Sequence, residues 1–178
     1  MDKRYKLALV LHRCTWVVVL LSLPVITLAA APASLVADAA MRGDAEAVRI
    51  LLRDGADANA AHGDGMTALH WAATNDNAVI AKMLVYAGAN AQATTRLGRY
   101  TPLHLAAKAG SAAVVSILLE ARATASAVTS TGGAQAIHFA AAAGVAESVE
   151  MLLKYGADVD AREQTRQQTP LMFAGAFN

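Results

Sequence analysis

Thr67-Ala68-Leu69-His70 returns as Thr101-Pro102-Leu103-His104, as Gln135-Ala136-Ile137-His138 and as Thr169-Pro170-Leu171-Met172, at a constant step of 34. A second phrase keeps step with the first. Leu51-Leu52-Arg53-Asp54-Gly55-Ala56-Asp57 is followed by Leu84-Val85-Tyr86-Ala87-Gly88-Ala89-Asn90, Leu118-Leu119-Glu120-Ala121-Arg122-Ala123-Thr124 and Leu152-Leu153-Lys154-Tyr155-Gly156-Ala157-Asp158, at steps of 33, 34 and 34. Two unrelated phrases held to one period define a repeating unit. Counting back from Thr67 by the shorter of these steps starts the first unit at Ser34. The units are then 34–66, 67–100, 101–134 and 135–168, with an incomplete unit at 169–178.

Each phrase has a physical task. Thr101 caps a helix through its hydroxyl, and Pro102 suits the first helical position, where no N–H is needed. Leu103, Ala106 and Ala107 then share one face of a short first helix. Gly110, aligned with Gly43 and Gly144, permits a tight turn. The second helix follows with a broad apolar stripe of Val114, Val115, Ile117, Leu118 and Leu119. Gly55, Gly88 and Gly156 sit just past the ends of their second helices, where a left-handed residue closes the helix. The remaining residues of a unit, such as Gln92 to Tyr100, form an extended connection to the next cap.

With these residues the chain resembles the ankyrin repeat, whose signature includes the Thr-Pro-Leu-His-x-Ala phrase. The resemblance covers residues 34–178. It implies an all-α solenoid of antiparallel helix pairs, joined by β-hairpin-like fingers that project to one side. Three departures stand out. Arg122 replaces the helix-closing glycine, Gln135-Ala136 replaces Thr-Pro, and Asp76, flanked by Asn75 and Asn77, replaces the inter-helix glycine. The last unit stops before its second helix, so Leu171, Phe173 and Phe177 are expected to lack a covering neighbour, and the chain is expected to continue with further repeats.

Ahead of the repeats, residues 1–33 read as a signal peptide or an N-terminal membrane anchor. Residues 1–13 are basic, Cys14 to Ala31 carry no charge, and Ala31-Pro32-Ala33 offers a small-x-small cleavage site. The uncharged run falls short of the roughly 20 residues that span a bilayer, and it contains Pro24. Both features favour cleavage over an anchor at 14–31. In either case the charge bias places the repeats outside the cytoplasm, periplasmic or secreted, and a cytoplasmic adaptor with a reversed anchor runs against that bias.

Composition narrows the partners. The chain has 15 basic and 14 acidic residues. The stretch from Met1 to Arg13 holds four of those bases (Lys3, Arg4, Lys6, Arg13) and one acid (Asp2), which leaves 11 and 13 for the rest, a net of −2. Nucleic acid is not expected, because phosphate binding needs a basic stripe. Membrane contact is expected only through the N-terminal segment. The single cysteine, Cys14, allows no disulfide framework and no thiolate metal site in the repeats.

No Gly-rich phosphate loop, nucleophile elbow or paired carboxylates occur, so no catalytic residue, metal or cofactor is expected. His70, His104 and His138 recur one per unit, too far apart to share an ion, and each imidazole is read as bonding to its own cap and loop. His62 with Asp64 is read as a solvated loop pair in preference to a catalytic one. Trp71, Leu105, Phe139 and Phe173 share one repeat position and are read as core, with a binding stripe centred on Trp71 as the alternative.

The resemblance implies that fingers and first helices make a concave wall that grips other proteins. Carried onto this chain, the contacts are His62, Met66, Arg96, Arg99, Tyr100, Thr131, Arg162, Gln164 and Arg166, with Asn75 and Lys108 behind them. Tyr100 between Arg96 and Arg99 is the first choice, because aromatic and arginine side chains dominate binding hot spots. The function implied is that of an exported, non-catalytic scaffold for partner proteins. The alternative is a recruitment module of a larger enzyme whose catalytic domain lies beyond Asn178.

Overall fold

The computed structural model of the protein describes residues 34–177. Residues 1–33, on which the expectation of a signal peptide or membrane anchor falls, lie outside them. Nine helices occur among the described residues: α1 (Leu35–Met41), α2 (Ala45–Arg53), α3 (Ala68–Thr74), α4 (Ala78–Tyr86), α5 (Pro102–Ala109), α6 (Ala112–Glu120), α7 (Ala136–Ala142), α8 (Ala146–Lys154) and α9 (Pro170–Phe177). None is long and apolar enough to cross a membrane. The first helices α1, α3, α5, α7 and α9 pack side by side in one row, and α2, α4, α6 and α8 form a second row behind them. This is the all-α solenoid that the resemblance implies.

Small residues let the rows approach closely. Leu69, Ala72 and Ala73 on α3, Leu103, Ala106 and Ala107 on α5, and Ile137 and Ala140 on α7 are fully buried. They meet Ile80, Ala81 and Leu84 of α4, Val114, Val115, Leu118 and Leu119 of α6, and Leu152 of α8 in one continuous core. Alanine brings helix axes together, and the larger aliphatic side chains fill the space between rows.

The capping pattern repeats with the period until the fourth unit. Asp44, Asn77 and Ser111 each accept the backbone N–H three residues on, at 2.9, 3.0 and 3.3 Å. Val145 holds the equivalent place before α8 and has no side chain able to do so. Between helices the chain turns left-handed at Gly43, Gly110 and Gly144, and at Asp76 with φ of 51°. Asp76 itself adopts the strained conformation, and its carboxylate accepts a hydrogen bond from the Ser111 hydroxyl of the next unit. Past the second helices Gly55, Gly88 and Gly156 are left-handed, and Arg122 follows them at φ of 63°.

Candidate functional site

The fingers lie between each second helix and the next cap, and two sets of backbone bonds build them. Each closes on itself: Thr95 N–H donates to Tyr100 O at 3.0 Å, Thr129 to Ala134 O at 3.0 Å and Glu163 to Gln168 O at 3.1 Å. Each is also joined to its neighbour, for Arg96 N–H donates to Asp64 O at 2.8 Å, Ser130 to Gly98 O at 2.9 Å and Gln164 to Gly132 O at 2.6 Å. Successive donors are one repeat apart, and so are successive acceptors. The tips are therefore a continuous backbone ladder and not independent loops, which limits the ordering cost of binding along them. Each turn needs a left-handed residue; Gly65 and Gly133 supply it, and Arg99 and Gln167 adopt it at φ of 51° and 57°.

At the finger bases Thr95 and Thr129 hydroxyls accept the N–H groups of Tyr100 and Ala134, at 3.0 and 3.1 Å. Glu163 takes that task in the last finger, accepting from Thr165 and Arg166 at 2.6 Å each and from Gln168 at 3.1 Å. Glu163 is 4% exposed, covered at the surface of the protein and not deep within it. That cover works to raise its pKa, and the N–H groups of Gln168, Thr165 and Arg166 outweigh it, so its carboxyl is held below the usual range.

The three repeat histidines fasten finger to helix. Nδ1 of His70, His104 and His138 accepts the backbone N–H of Thr67, Thr101 and Gln135, at 3.2, 3.1 and 3.2 Å. Their Nε2 atoms face carbonyl oxygens of Tyr100 at 3.1 Å, Ala127 at 3.0 Å and Ala161 at 3.1 Å. A backbone N–H only donates and a carbonyl only accepts, so each ring is neutral with its proton on Nε2. Both ring nitrogens are then committed, and neither has a lone pair free for a metal. Among the described residues no three His, Cys, Asp or Glu side chains converge on one point.

The inner face of the first helices carries the shared apolar position. Trp71, Leu105, Phe139 and Phe173 are half-buried there, and the first three pack against the core from its edge. This corrects their reading as core: the position faces the finger side, where the next helix row does not reach. Tyr100 wedges among them, its ring centroid 5.9 Å from Phe139 and 6.1 Å from His104. Phe173 is not left bare as expected. It meets His138 edge-on at 5.1 Å, while Leu171 is indeed exposed. Phe177's side chain lies outside the description.

His62 is the second correction. Its Nε2 donates to Asp38 Oδ1 at 2.9 Å, and its Nδ1 accepts from the Trp71 indole N–H at 3.2 Å. Asp64 instead accepts the Met66 N–H at 2.9 Å. Trp71, reaching across from α3, holds the imidazole against α1, so His62 is half-buried and its pairing is not with Asp64.

The remaining residues divide in two. Asn75 is exposed, yet its amide donates to the end carbonyls of α1, Ala40 at 3.4 Å and Met41 at 3.0 Å. Arg162 bonds the Gln167 carbonyl of its own finger at 3.3 Å. Met66 is half-buried, and Thr131, Gln164, Arg96, Arg99, Lys108 and Arg166 are exposed. Arg99 also edges a groove of about 520 Å³ floored by Gln92, Thr94, Thr124, Val128 and Ser130. Sequence reasoning missed this hydroxyl-lined groove, whose signal is the run of Thr and Ser at matching places in fingers two and three.

A family profile described as ankyrin repeats in three copies matches residues 36–129, and one described as the ankyrin repeat matches residues 132–164. Among curated proteins, the chain is similar to the Ankyrin repeat and LEM domain-containing protein 1 homolog of Caenorhabditis elegans, at 44% identity over 54 residues. That stretch is 30% of this chain and 8% of the relative, so the chain spans only a small part of the protein it matches.

Proposed function

The chain belongs to the ankyrin repeat family, whose repeats mediate binding to other proteins, and from that premise we propose that it is an exported scaffold that holds a partner protein along its finger ridge. The observation that carries this reading is the exposed pair Arg96 and Arg99 beside the half-buried Tyr100 on the second finger. Arg96, Arg99, Arg162 and Arg166 are exposed on the second and fourth fingers, and Lys108 stands behind them on α5. Of the finger acids, Asp57, Asp64, Asp158 and Glu163 each accept backbone N–H groups of their own loops, and Asp160 is exposed on the fourth finger. Rim charges of this kind steer encounter and select complementary partners. The half-buried row of Trp71, Tyr100 and Phe139 supplies apolar surface beside the cations, which is the composition of binding hot spots. Export rests on the basic, apolar and small-residue sequence of residues 1–33.

The test has two arms. Proteins captured from envelope extract by the wild-type chain are identified and their affinities measured against a variant carrying Arg96→Glu and Arg99→Asn. Asn tolerates the left-handed backbone, so the finger keeps its turn. Binding falls by tenfold or more, about 1.4 kcal/mol, while Lys82→Glu on the opposite face leaves it unchanged. Equal binding by both variants removes the ridge from the function. In the second arm, protease added to cells with an opened outer layer digests the repeats. Full protection overturns export.

A further inference from the structure

In the second row, α2 and α4 approach each other over a shorter stretch than the other neighbours do, and a groove of about 640 Å³ opens between them, away from the fingers. Both walls are second helices of complete units. Leu52 of α2 and Met83 of α4, half-buried against the core, form its base, and Val79, 59% exposed, extends the apolar strip. Cations stand on both sides. Arg49 and Arg53 are one helical turn apart on α2, Lys82 is on α4 with Tyr86 a turn further on, and all four are exposed. No acid lines the groove. Arg49 pairs with Glu46 at 2.5 Å and Arg53 with Asp54 at 3.3 Å, but open surface pairs of this kind hold a guanidinium only weakly. Lys82 has no ion pair among the described residues.

We propose that this groove seats an acidic amphipathic helix of a second protein. Two helices side by side, with an apolar strip between them and cations on either rim, match a third helix whose apolar seam is flanked by carboxylates. The walls are nine residues each, which gives about 13 Å of groove, or some two and a half turns of an occupant. A bilayer meets apolar side chains that protrude, whereas Leu52 and Met83 lie behind the charged rim. Charge fixes the place. The position of Arg49 is Lys82 in α4, Ser116 in α6 and Glu150 in α8, and that of Arg53 becomes Tyr86, Glu120 and Lys154. In the next groove along, of about 350 Å³ between α4 and α6, Glu120 offsets Lys82. The row thus turns from basic to acidic, and the α2–α4 groove is the basic end. This chain's own N-terminal residues bring Lys3, Arg4, Lys6 and Arg13, the sign that the rim repels. The groove is separate from the finger ridge and does not depend on the partner proposed there.

Fluorescence anisotropy of labelled helical peptides against the full chain, in one detergent throughout, tests the assignment. One peptide, about three heptads long, carries a leucine seam flanked by glutamate, and the other has lysine in place of each glutamate. The glutamate peptide binds saturably, and the lysine peptide binds at least tenfold more weakly. Arg49→Glu, Lys82→Glu and Val79→Asp each weaken the glutamate peptide tenfold or more, with helical circular dichroism retained because all three side chains are exposed. Lys82→Arg keeps the affinity. The ridge variant carrying Arg96→Glu and Arg99→Asn also keeps it, which separates this groove from the ridge. A wild type that leaves the glutamate peptide unbound overturns the proposal, as does equal binding of the two peptides or binding that survives all three substitutions. Labelled phosphatidylglycerol that binds the wild type and not Lys82→Glu, with the glutamate peptide unbound, would give the groove to an anionic lipid surface instead.

Discussion

His70 and Tyr100 stand 30 residues apart in the chain, and the imidazole Nε2–H of the first donates to the backbone carbonyl of the second at 3.1 Å. The bond ties the cap of one unit to the end of its finger, and it exists only for the neutral ring, since Nδ1 is accepting the Thr67 N–H. Burial lowers the pKa of His70 below 6.5, and the Tyr100 and Ala93 carbonyls and Asp64 offset this only in part. Burial likewise lowers His104, against the pull of the Ala127 and Ala134 carbonyls. The unfolded chain therefore binds more protons than the folded one as the pH drops through 6.5, so stability rises with pH across that window. It is fully present above the unfolded value and is lost progressively as pH falls towards the folded values. The urea midpoint is expected to decline as the pH falls from about 7.5 to about 5.5, and ring nitrogen shifts followed over that range are expected to titrate at lower pH in the folded protein than in the unfolded chain at both sites. Folded rings that titrate above the unfolded value would contradict the assignment.

The cap of α7 is the weak one. Gln135 has the extended backbone of the other caps, φ of −95° and ψ of 166°, almost the −89° and 165° of Thr101. Its N–H reaches His138, but its Oε1 is buried without a partner. Restoring Thr-Pro with Gln135→Thr and Ala136→Pro supplies the hydroxyl and presets the first helical angle, and the extended backbone before it accepts a proline. The double variant is expected to gain about 1 kcal/mol in urea unfolding. A loss would mean that the long Gln135 side chain packs in a way a threonine cannot.

What the period makes legible is everything local: caps, turns and the apolar stripes, each short and repeated from unit to unit. The glycines aligned with Arg122 mark it as a left-handed position, and it is one. What stays hidden in the sequence joins units. The ladder from Arg96 to Asp64 is made of backbone atoms, on which side-chain identity leaves no mark. The Asp38–His62–Trp71 chain crosses from α1 through a finger to α3, whereas along the sequence the nearer Asp64 is the natural partner. Trp71, Leu105, Phe139 and Phe173 form an apolar pattern, and apolarity alone does not separate a buried face from a half-covered one. Of the residues expected to meet a partner, Asn75 donates to the end carbonyls of α1 and the Tyr100 ring rests on Phe139 of the next unit, and neither contact shows in the sequence.

Ser148 on α8 is fully buried and its hydroxyl has no partner. Ile80 and Val114 occupy its place in α4 and α6, equally buried. An apolar site that holds a lone hydroxyl bears its desolvation without return. Ser148→Ala is expected to stabilise the fold by about 1 kcal/mol, read as a higher urea midpoint at unchanged slope. Destabilisation would show that the oxygen finds a partner, such as water.

Asp76 and Arg122 face the same backbone demand and are expected to answer a glycine differently. Both are left-handed, with φ of 51° and 63°, where an L side chain costs roughly 1 kcal/mol relative to glycine. Arg122 is exposed, and the bond made at this position, from the Gln92 amide at 2.8 Å, goes to its backbone carbonyl and survives substitution. Arg122→Gly therefore relieves strain at little loss, and a gain of somewhat under ~1 kcal/mol follows after the added freedom of the unfolded chain is subtracted. Asp76→Gly relieves the same strain but removes the carboxylate that receives the Ser111 hydroxyl, itself the cap of α6. Losing a charge-assisted bond costs about 1.5 to 3 kcal/mol, more than the strain returned, so that variant is destabilised. Thermal melts of the two side by side give shifts of opposite sign, and a rise in both would mean that the link between Asp76 and Ser111 contributes nothing to the stacking of the second and third units.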